Sequence, residues 1–538
     1  MEQSTENQTH NLIEIDYSNT DFFSDLIKKY LSNQDFPNQF VNRNSDADNA
    51  KEVVQNPQFS PNYRKGLVEE ILKQYEQSNI HLNESSPVYQ NIVKLQNENC
   101  VCITTGQQIH IFLGPMFVAH KLLSVCLESD EFNEQQSEYE SVPIFWMATE
   151  DHDFEEINSV SLYNEKLTWD IESKGFVGRL APQSLLPLVN FAKQRIDQTP
   201  ENLHFIAVCE TAYTQCKTFA QATRQIIHTL YGHTGIIVFD GDNTFCKKQF
   251  VNIFKNDLFK HDCSEAIDAT INELKANKIK PPINTRPSNT FFLHDNQRLR
   301  LEKNENNFRV VGSEIKYNTE EINDFLLNQP EKFSPNALLR PLYQQVILPN
   351  ISYIAGAAEF MYWIELKLLL FKFGTLFPKL IIRPSTFYFT KKNLEFLRNA
   401  DIPIETIFYS KEKLSQLFVN KYNEKYNNLS NRLSELDDLM ESLFMDESMR
   451  QYLNASIKTD WKNVFKKTSN SIKSMIDNSI EMNSDYQKVI KIKSKIWHEN
   501  YNQERQKSIL ESLSSLKHLL SASSVTKNSK INILYLEN

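Results

Sequence analysis

Three runs in this sequence concentrate residue types that bond-making chemistry uses. The densest is Glu150-Asp151-His152-Asp153, followed by Glu155, Glu156 and Asn158. Five carboxylates and an imidazole within seven residues is a costly concentration of like charge. It raises carboxylate pKa values and stabilises a protonated imidazole unless a cation intervenes. His152, between Asp151 and Asp153, is a candidate general base for an amine nucleophile. The cluster could equally hold Mg²⁺ accompanying a nucleotide, or bind an ammonium group directly. A solvated acidic loop is the bland alternative.

The second run is TTGQQIHIFLGP (104–115). A glycine-bearing turn between strand and helix aims backbone N–H groups at an anion, helped by the helix dipole. Gly106 and Gly114 belong to this turn, Gln107 and Gln108 add amide donors and acceptors, and Gly114-Pro115 puts Pro in the first helical turn. A structural turn is the alternative. The third run, FSPNALLRPLYQQVILPNISYIAGAAEFMYWIELK (333–367), carries Arg340 before Pro341, and Arg383 stands likewise before Pro384. Each guanidinium is either a fixed fork for carboxylate or phosphate, or half of a structural ion pair. Cys100 and Cys102 share one face of a strand and read as small buried side chains. Neither G-x-G-x-x-G nor G-x-x-x-x-G-K-[ST] occurs, and there is no G-x-S-x-G elbow or H-E-x-x-H helix.

These runs need elements to hold them. CVCITT (100–105), VPIFWMA (142–148), GIIVFDGDN (235–243), the strand before Gly356 and KLIIRPS (379–385) read as strands. Their unbroken apolar character predicts burial on both faces, as in a parallel sheet. Helices are expected over Met116 to Leu127, Phe205 to Leu230, Phe245 to Leu274 and the stretch after Gly356. Strands alternating with helices define an α/β domain, where ligands bind beyond the carboxyl ends of the strands. Gly106-Gln107-Gln108, Glu150 to Asp153, Asp240-Gly241-Asp242, and Gly356 leading to Glu359 would then share one rim.

Short amphipathic helices fill 1–99, and the texture of 244–335, with strands such as NTFFLHD and QRLRLE, suggests an insertion into the core. Beyond residue 420, Tyr422, Tyr426, Leu429, Leu433, Leu436, Met440 and Leu443 step by 4 and 3 in alternation, the seam of a coiled coil. Further helical stretches run through Ile472, Ile476 and Ile480, and through Ile509, Leu513, Leu516 and Leu520. An ordinary bundle packing on itself is the alternative.

Composition narrows the classes. Of 538 residues 40% are hydrophobic and only 11 are Gly, so wholesale disorder is excluded. The net charge of −10 argues against a nucleic-acid binder. Seven cysteines without a C-x-x-C pair suit reduced thiols in a cytosolic enzyme. The polar, acidic MEQSTENQTH lacks a signal peptide's basic and apolar regions, and Tyr362 to Ile382 is broken by charges. A cytoplasmic protein with no membrane span is expected.

The matching stretches TTGQQ…LGP…K, VPIFWMATEDHDFEEINSV, KGFVGRL (174–180) and FSPNALLRPLYQQVILPNISYIAGAAEFMYW together resemble the bacillithiol-biosynthesis cysteine ligase family, BshC. The resemblance implies a Rossmann-like core with connecting-peptide insertions, similar to class I aminoacyl-tRNA synthetases, plus an α-helical coiled-coil domain that forms a homodimer. On that reading 100–243 and 336–400 are the two halves of the core, 244–335 the insertion, 401–525 the coiled coil and 526–538 a tail. It implies an amide-forming ligase joining cysteine to glucosaminyl malate, with ATP and Mg as activator and no tightly bound metal. Gln107, Gln108 and the turn before Gly114 would bind phosphate, and His152 would accept the amine proton. Gly106, Glu150, Asn158, Arg340, Glu359 and Arg383 complete the expected binding set. Ile109 and His110 replace the family's usual Pro-Gly and could narrow the pocket, and no Leu-Gln-Glu-Arg segment is recognisable in the final residues. A metal-dependent hydrolase built on the acidic cluster, and a non-catalytic dimeric scaffold, are the rival readings.

Overall fold

The structure is a computed structural model that describes residues 12–33, 36–163, 165–304, 307–422, 424–449, 452, 455–498, 501–511 and 530–536. Five core strands form: β1 Cys100–Gln107, β2 Glu140–Met147, β3 Ile237–Asp240, β4 Asn350–Ala355 and β5 Lys379–Ile382. They pair in the order β5-β4-β1-β2-β3, and every pairing is parallel. The register runs from Cys100 opposite Glu140 to Gln107 opposite Met147, with Met147 opposite Asp240 and Thr104 opposite Tyr353. β1 and β2 are buried along almost their whole length, as unbroken apolar runs predict.

The chain order reverses beside β1. One connection runs from β1 out to β2 and β3, and the other leads to β4 and β5 on its opposite edge. Right-handed crossovers in opposite directions put their helices on opposite faces of the sheet. Such a switch point opens a crevice at the carboxyl ends of β1 and β4. Gly106 ends one strand and Gly356 follows the other.

The chain divides into two compact units. One comprises 1–14, 25–386 and 504–532 and contains this sheet; the other comprises 15–24, 387–503 and 533–538. Within the first, residues 290–335 build an antiparallel sheet in the order Lys316–Asn318, Asn307–Val310, Gln297–Asn304, Thr290–His294, Phe333–Pro335. The strands expected at NTFFLHD and QRLRLE pair within this sheet.

Two long helices expected from periodicity are interrupted. Phe205 to Leu230 becomes Pro200–Gln215 and Phe219–Tyr231, because Cys216 is extended and Thr218 caps the second helix through Gln221 N–H. Phe245 to Leu274 becomes Thr244–Lys255 and Asp262–Ala276, separated by a π-turn at Asn256–Lys260 and by His261 at φ 60°. Within that π-turn the buried Asp257 carboxylate accepts from Asn289 N–H at 2.8 Å and Thr290 Oγ1 at 2.7 Å, tying the helix to the small sheet.

In the second unit, Glu424–Met445 and Ala455–Glu481 run antiparallel. Trp461 Nε1 donates to Asp437 at 2.8 Å and Lys458 Nζ to Glu441 at 2.9 Å, so one helix ascends as the other descends. Leu433, Met440 and Leu443 of the expected seam are half-buried, while Leu436 is exposed. The side chains of Tyr422, Tyr426, Leu429 and Ile476, and residues Leu513, Leu516 and Leu520 altogether, lie outside the described residues. All seven cysteines are buried free thiols. Among the described residues no helix is long and apolar enough to cross a membrane.

Candidate active site

A cleft of about 690 Å³ opens at the switch point. Of the residues singled out from sequence, Gly106, Gln107, Gln108, Glu150, Asp151, His152, Asp153, Arg340, Glu359 and Arg383 all line it. Three of the four expected strand-end clusters, separated by more than two hundred residues, meet here; Asp240-Gly241-Asp242 is not part of the lining. Gly114 and Asn158 are absent from that lining.

Gly114 has a structural task. It sits at φ 68° and ψ −150°, and a Cβ there would stand 2.6 Å from His110 Cβ. Three backbone donors of this turn are also spent within the protein. Phe112 N–H donates to Tyr213 Oη at 2.9 Å, Gly114 N–H to Ile111 O at 2.9 Å, and Met116 N–H to Lys507 O at 2.9 Å. Of this motif, Gly106, Gln107 and Gln108 reach the cleft. Pro115 is the N-cap of Met116–Gln135 and lies outside the first helical turn. Ile109 and His110 are buried beneath this turn and do not narrow the cleft. Burial pushes the His110 imidazole down to about 4, which keeps it neutral. Asn158 ends the short helix Phe154–Ile157, where its carbonyl accepts from Trp169 N–H at 2.6 Å.

The acidic cluster follows β2 directly and is held by backbone from KGFVGRL. Val177 N–H donates to Asp151 O at 2.9 Å and Gly178 N–H to Thr149 O at 2.8 Å. A Cβ on Gly178 would come within 2.4 Å of Thr149 Cβ, so only glycine allows this approach. Arg179 then forks onto Asp242 beyond β3, with both bonds at 2.7 Å.

Within the cluster the carboxylates are not equivalent. Glu150 is buried and paired with Lys247, whose Nζ also donates to Phe333 O at 2.8 Å. Asp151 accepts from Gln108 Nε2 at 2.7 Å and from His152 N–H at 2.7 Å. Burial alone would raise the Asp151 carboxyl. The hydrogen bonding of His152, the Arg298 charge and the Gln108 amide outweigh it and hold the group well below the usual carboxylate range. Gln108 also reaches Glu156 at 2.8 Å, so one amide bridges two acids. Asp153 is exposed, with 60% of its side chain open, as are Glu155 and Glu156.

Arg298 completes this arm, and sequence reading did not find it. It comes from Gln297–Asn304 in the insertion, and its NH1 lies 2.9 Å from His152 Nδ1 and 3.8 Å from Asp151 Oδ1. Nothing local in QRLRLE marks it, since its partners lie almost 150 residues away. Asp151, His152 and Asp153 each offer a ligand atom within 4.8 Å of one another. The fixed guanidinium already supplies positive charge there and occupies one ring nitrogen, so the donor set suits a divalent metal poorly.

The opposite chemistry lies along β1 and β4. Lys121 Nζ, almost fully buried, donates to Gly106 O at 2.6 Å, Gln107 Oε1 at 3.1 Å and Glu359 Oε2 at 2.7 Å. Burial brings this ammonium down to about 8, against the pull of Glu359. Glu359 Oε2 also accepts from Gly356 N–H at 2.7 Å. Arg340 stands beside Gly106, its NH1 bonded to Gln344 Oε1 at 3.0 Å and its buried NH2 without a hydrogen-bond partner. Arg383 is instead saturated, bonded bidentately to buried Glu504 at 2.8 and 2.6 Å and to Pro384 O at 3.0 Å. Of the two readings open for these arginines, ion pair describes Arg383. The partner segment Gln503-Glu504-Arg505 supplies a Gln-Glu-Arg run before the tail, and Arg505 lines the cleft together with Arg286 and Arg300.

A five-stranded parallel sheet with this order, and a charged cleft at its switch point, defines a Rossmann-like domain of enzymatic type. Residues 11–384 match the family "Bacillithiol biosynthesis BshC, N-terminal Rossmann-like domain". A protein of Flavobacterium psychrophilum named "Putative cysteine ligase BshC" is 32% identical over 506 residues, covering 92% of this chain and 93% of that one. A Staphylococcus aureus protein of the same name is 27% identical over 383 residues, covering 67% and 70%. A solved "putative arginyl t-RNA synthetase" from Campylobacter jejuni covers 85% of this chain and 96% of that one, at 10% identity and a TM-score of 0.21, too distant to bear on the fold. The chain belongs to the BshC family of bacillithiol biosynthesis.

Proposed function

We propose that this cleft joins the carboxyl group of cysteine to the amine of glucosaminyl malate, after ATP has converted that carboxyl to an acyl adenylate. The supporting observation is that one cleft is lined by both signs of charge: Asp151, Asp153 and Glu156, and Arg286, Arg300 and Arg340. A zwitterionic amino acid, an amine bearing carboxylates and a polyanionic nucleotide need both. A free carboxylate is a poor acyl donor because its charge and resonance resist an amine. In the ligation the nitrogen–carbon bond forms and the bond from carbonyl carbon to phosphate oxygen breaks. The electron pair leaves with AMP, and the amine's proton passes to the acidic arm. With three donors of the turn around Gly114 already bonded within the protein, anion binding falls to the arginines, Arg340 first. Mg²⁺ enters as the companion of ATP.

The assay uses the full purified chain with ATP, Mg²⁺, cysteine and glucosaminyl malate, read by mass spectrometry. Amide product and AMP in equal amounts are expected. No product, with added authentic product surviving in the same mixture, would overturn the reading. ADP in place of AMP would keep the ligase and replace the adenylate by an acyl phosphate. The same proposal includes a homodimer through the helical region 401–525, supported by Leu439, Val464 and Met475, which leave 57%, 57% and 61% of their surface open. Light scattering should return twice the chain mass of 62.9 kDa.

A further inference from the structure

We propose that Arg298 is a positioning residue that holds His152 in its Nε2–H tautomer, so that the imidazole serves the ligation as a hydrogen-bond donor and takes no proton. The inference rests on the ligation proposed above and deepens it by assigning roles inside the acidic arm. A guanidinium carries only donors. Its 2.9 Å contact with His152 Nδ1 therefore requires a lone pair on that nitrogen. A neutral imidazole that accepts at Nδ1 carries its proton on Nε2.

The competing partner for Nδ1 is Asp151, which interacts with the ring, but its nearest oxygen at 3.6 Å is farther than Arg298 NH1 at 2.9 Å. That carboxylate is already engaged by Gln108 Nε2 and by the His152 backbone N–H. Arg298 is held on every side. Its Nε donates to Ser334 Oγ at 2.9 Å, its NH2 donates to Pro335 O at 2.7 Å, and its plane lies over the Phe291 ring, 4.1 Å from the centroid. The His152 ring packs on the same Phe291, with centroids 5.4 Å apart. A proton on Nδ1 would set two donors face to face at the Arg298 contact, where a hydrogen bond needs an acceptor.

Nε2–H is then the ring's remaining polar edge, on a side chain that lines the cleft. A fixed donor there stabilises negative charge developing on the carbonyl oxygen as the amine attacks. The amine's proton passes to Asp153, an exposed carboxylate whose Oδ1 lies 4.0 Å from Nε2. His152 as general base, the expectation from sequence, gives way to His152 as donor with Asp153 as proton acceptor.

The test uses the full chain with ¹⁵N-labelled histidine and long-range ¹H–¹⁵N correlation at neutral pH. His152 is assigned by the signals lost in His152→Gln. The expected pattern is a pyridine-type Nδ1 with a pyrrole-type Nε2. A pyrrole-type Nδ1, or two protonated nitrogens, would overturn the proposal on the unmodified protein, whatever becomes of any variant. In folded Arg298→Met the pattern should shift towards the Nδ1–H form, facing Asp151. An unchanged pattern there removes Arg298 from the role. An inactive enzyme that keeps the Nε2–H form refutes the ligation reading alone, and an active enzyme with the Nδ1–H form refutes this inference alone.

Discussion

Arg340 and Arg383 look alike in the sequence: each precedes a proline, and each lies at the edge of a core element. The structure separates them. Arg383 meets Glu504 in a buried bidentate pair, 121 residues on in the chain. Arg340 bonds Gln344 and engages Tyr362, yet keeps a buried NH2 without a partner at the mouth of the switch-point crevice. A buried donor left unmade costs on the order of 1–3 kcal/mol, which is tolerable where a ligand supplies the acceptor. One arginine is thus structural, and the other is poised for an anion. Local sequence cannot tell them apart, because the deciding carboxylate arrives from far along the chain.

The largest expected effect tests the structural member. Arg383→Ala leaves Glu504 charged and buried without its guanidinium partner, a class of change that costs about 3–5 kcal/mol. Urea denaturation of the full chain should show that loss; a shift under about 1 kcal/mol would make the pair incidental.

The acid limb of stability tests the same pair without removing the arginine. Burial would raise the Glu504 carboxyl, but the Arg383 charge and the hydrogen bonds of Arg383 and His120 hold it at about 2. The folded value lies below the unfolded one, so this stabilisation is present above the ordinary glutamate range. It is lost as pH falls from about 4.3 towards the folded value, by roughly 3 kcal/mol. Stability measured from pH 6 downwards should fall less steeply in Glu504→Gln than in the unmodified protein over that window. Parallel curves would mean other carboxylates control acid unfolding.

Arg340 carries the opposite expectation. Arg340→Ala should change stability by less than about 1 kcal/mol, since its NH2 bonds nothing in the free protein. It should slow coupling about 10–100-fold, as loss of a charge-assisted bond of about 1.5–3 kcal/mol implies. Equal stability losses in Arg340→Ala and Arg383→Ala would erase the distinction.

What the sequence made legible follows the same division. β1 and β2 were readable because CVCITT and VPIFWM are unbroken apolar runs, and parallel strands gather their end residues on one rim. Ten of the twelve residues picked from those ends line the cleft. Lys121, Arg298 and Glu504 were missed for one reason. Each acts through a partner brought by the fold: Glu359 for Lys121, His152 for Arg298, Arg383 for Glu504. The Gln-Glu-Arg run was sought in the last residues and stands instead at 503–505. Helix breaks at Cys216 and His261 were invisible because periodicity continues across them, while capping and a buried Asp257 interrupt the backbone.

The smallest expected effect separates the two glycines of the first motif, which sequence treated as one phosphate-binding turn. At Gly114 the positive φ and the nearby His110 make any side chain strained, so Gly114→Ala should cost about 1–3 kcal/mol. Because the Phe112, Gly114 and Met116 N–H groups are already bonded within the protein, the KM values for substrates should stay unchanged once unfolded protein is discounted. At Gly106 the backbone is ordinary strand, and an added Cβ would meet Tyr353 Oη at 3.2 Å and Arg340 NH1 at 3.5 Å. These neighbours can shift by a few tenths of an ångström, so the fold survives. The new methyl packs against the guanidinium and hinders its anion, and Gly106→Ala should raise KM for the anionic substrate several-fold at near-constant stability. Denaturation curves and steady-state kinetics on both variants read this crossing directly. If Gly114→Ala raised KM while Gly106→Ala left it alone, the turn and not the arginine would be the anion seat, and the contrast between Arg340 and Arg383 would lose its functional half.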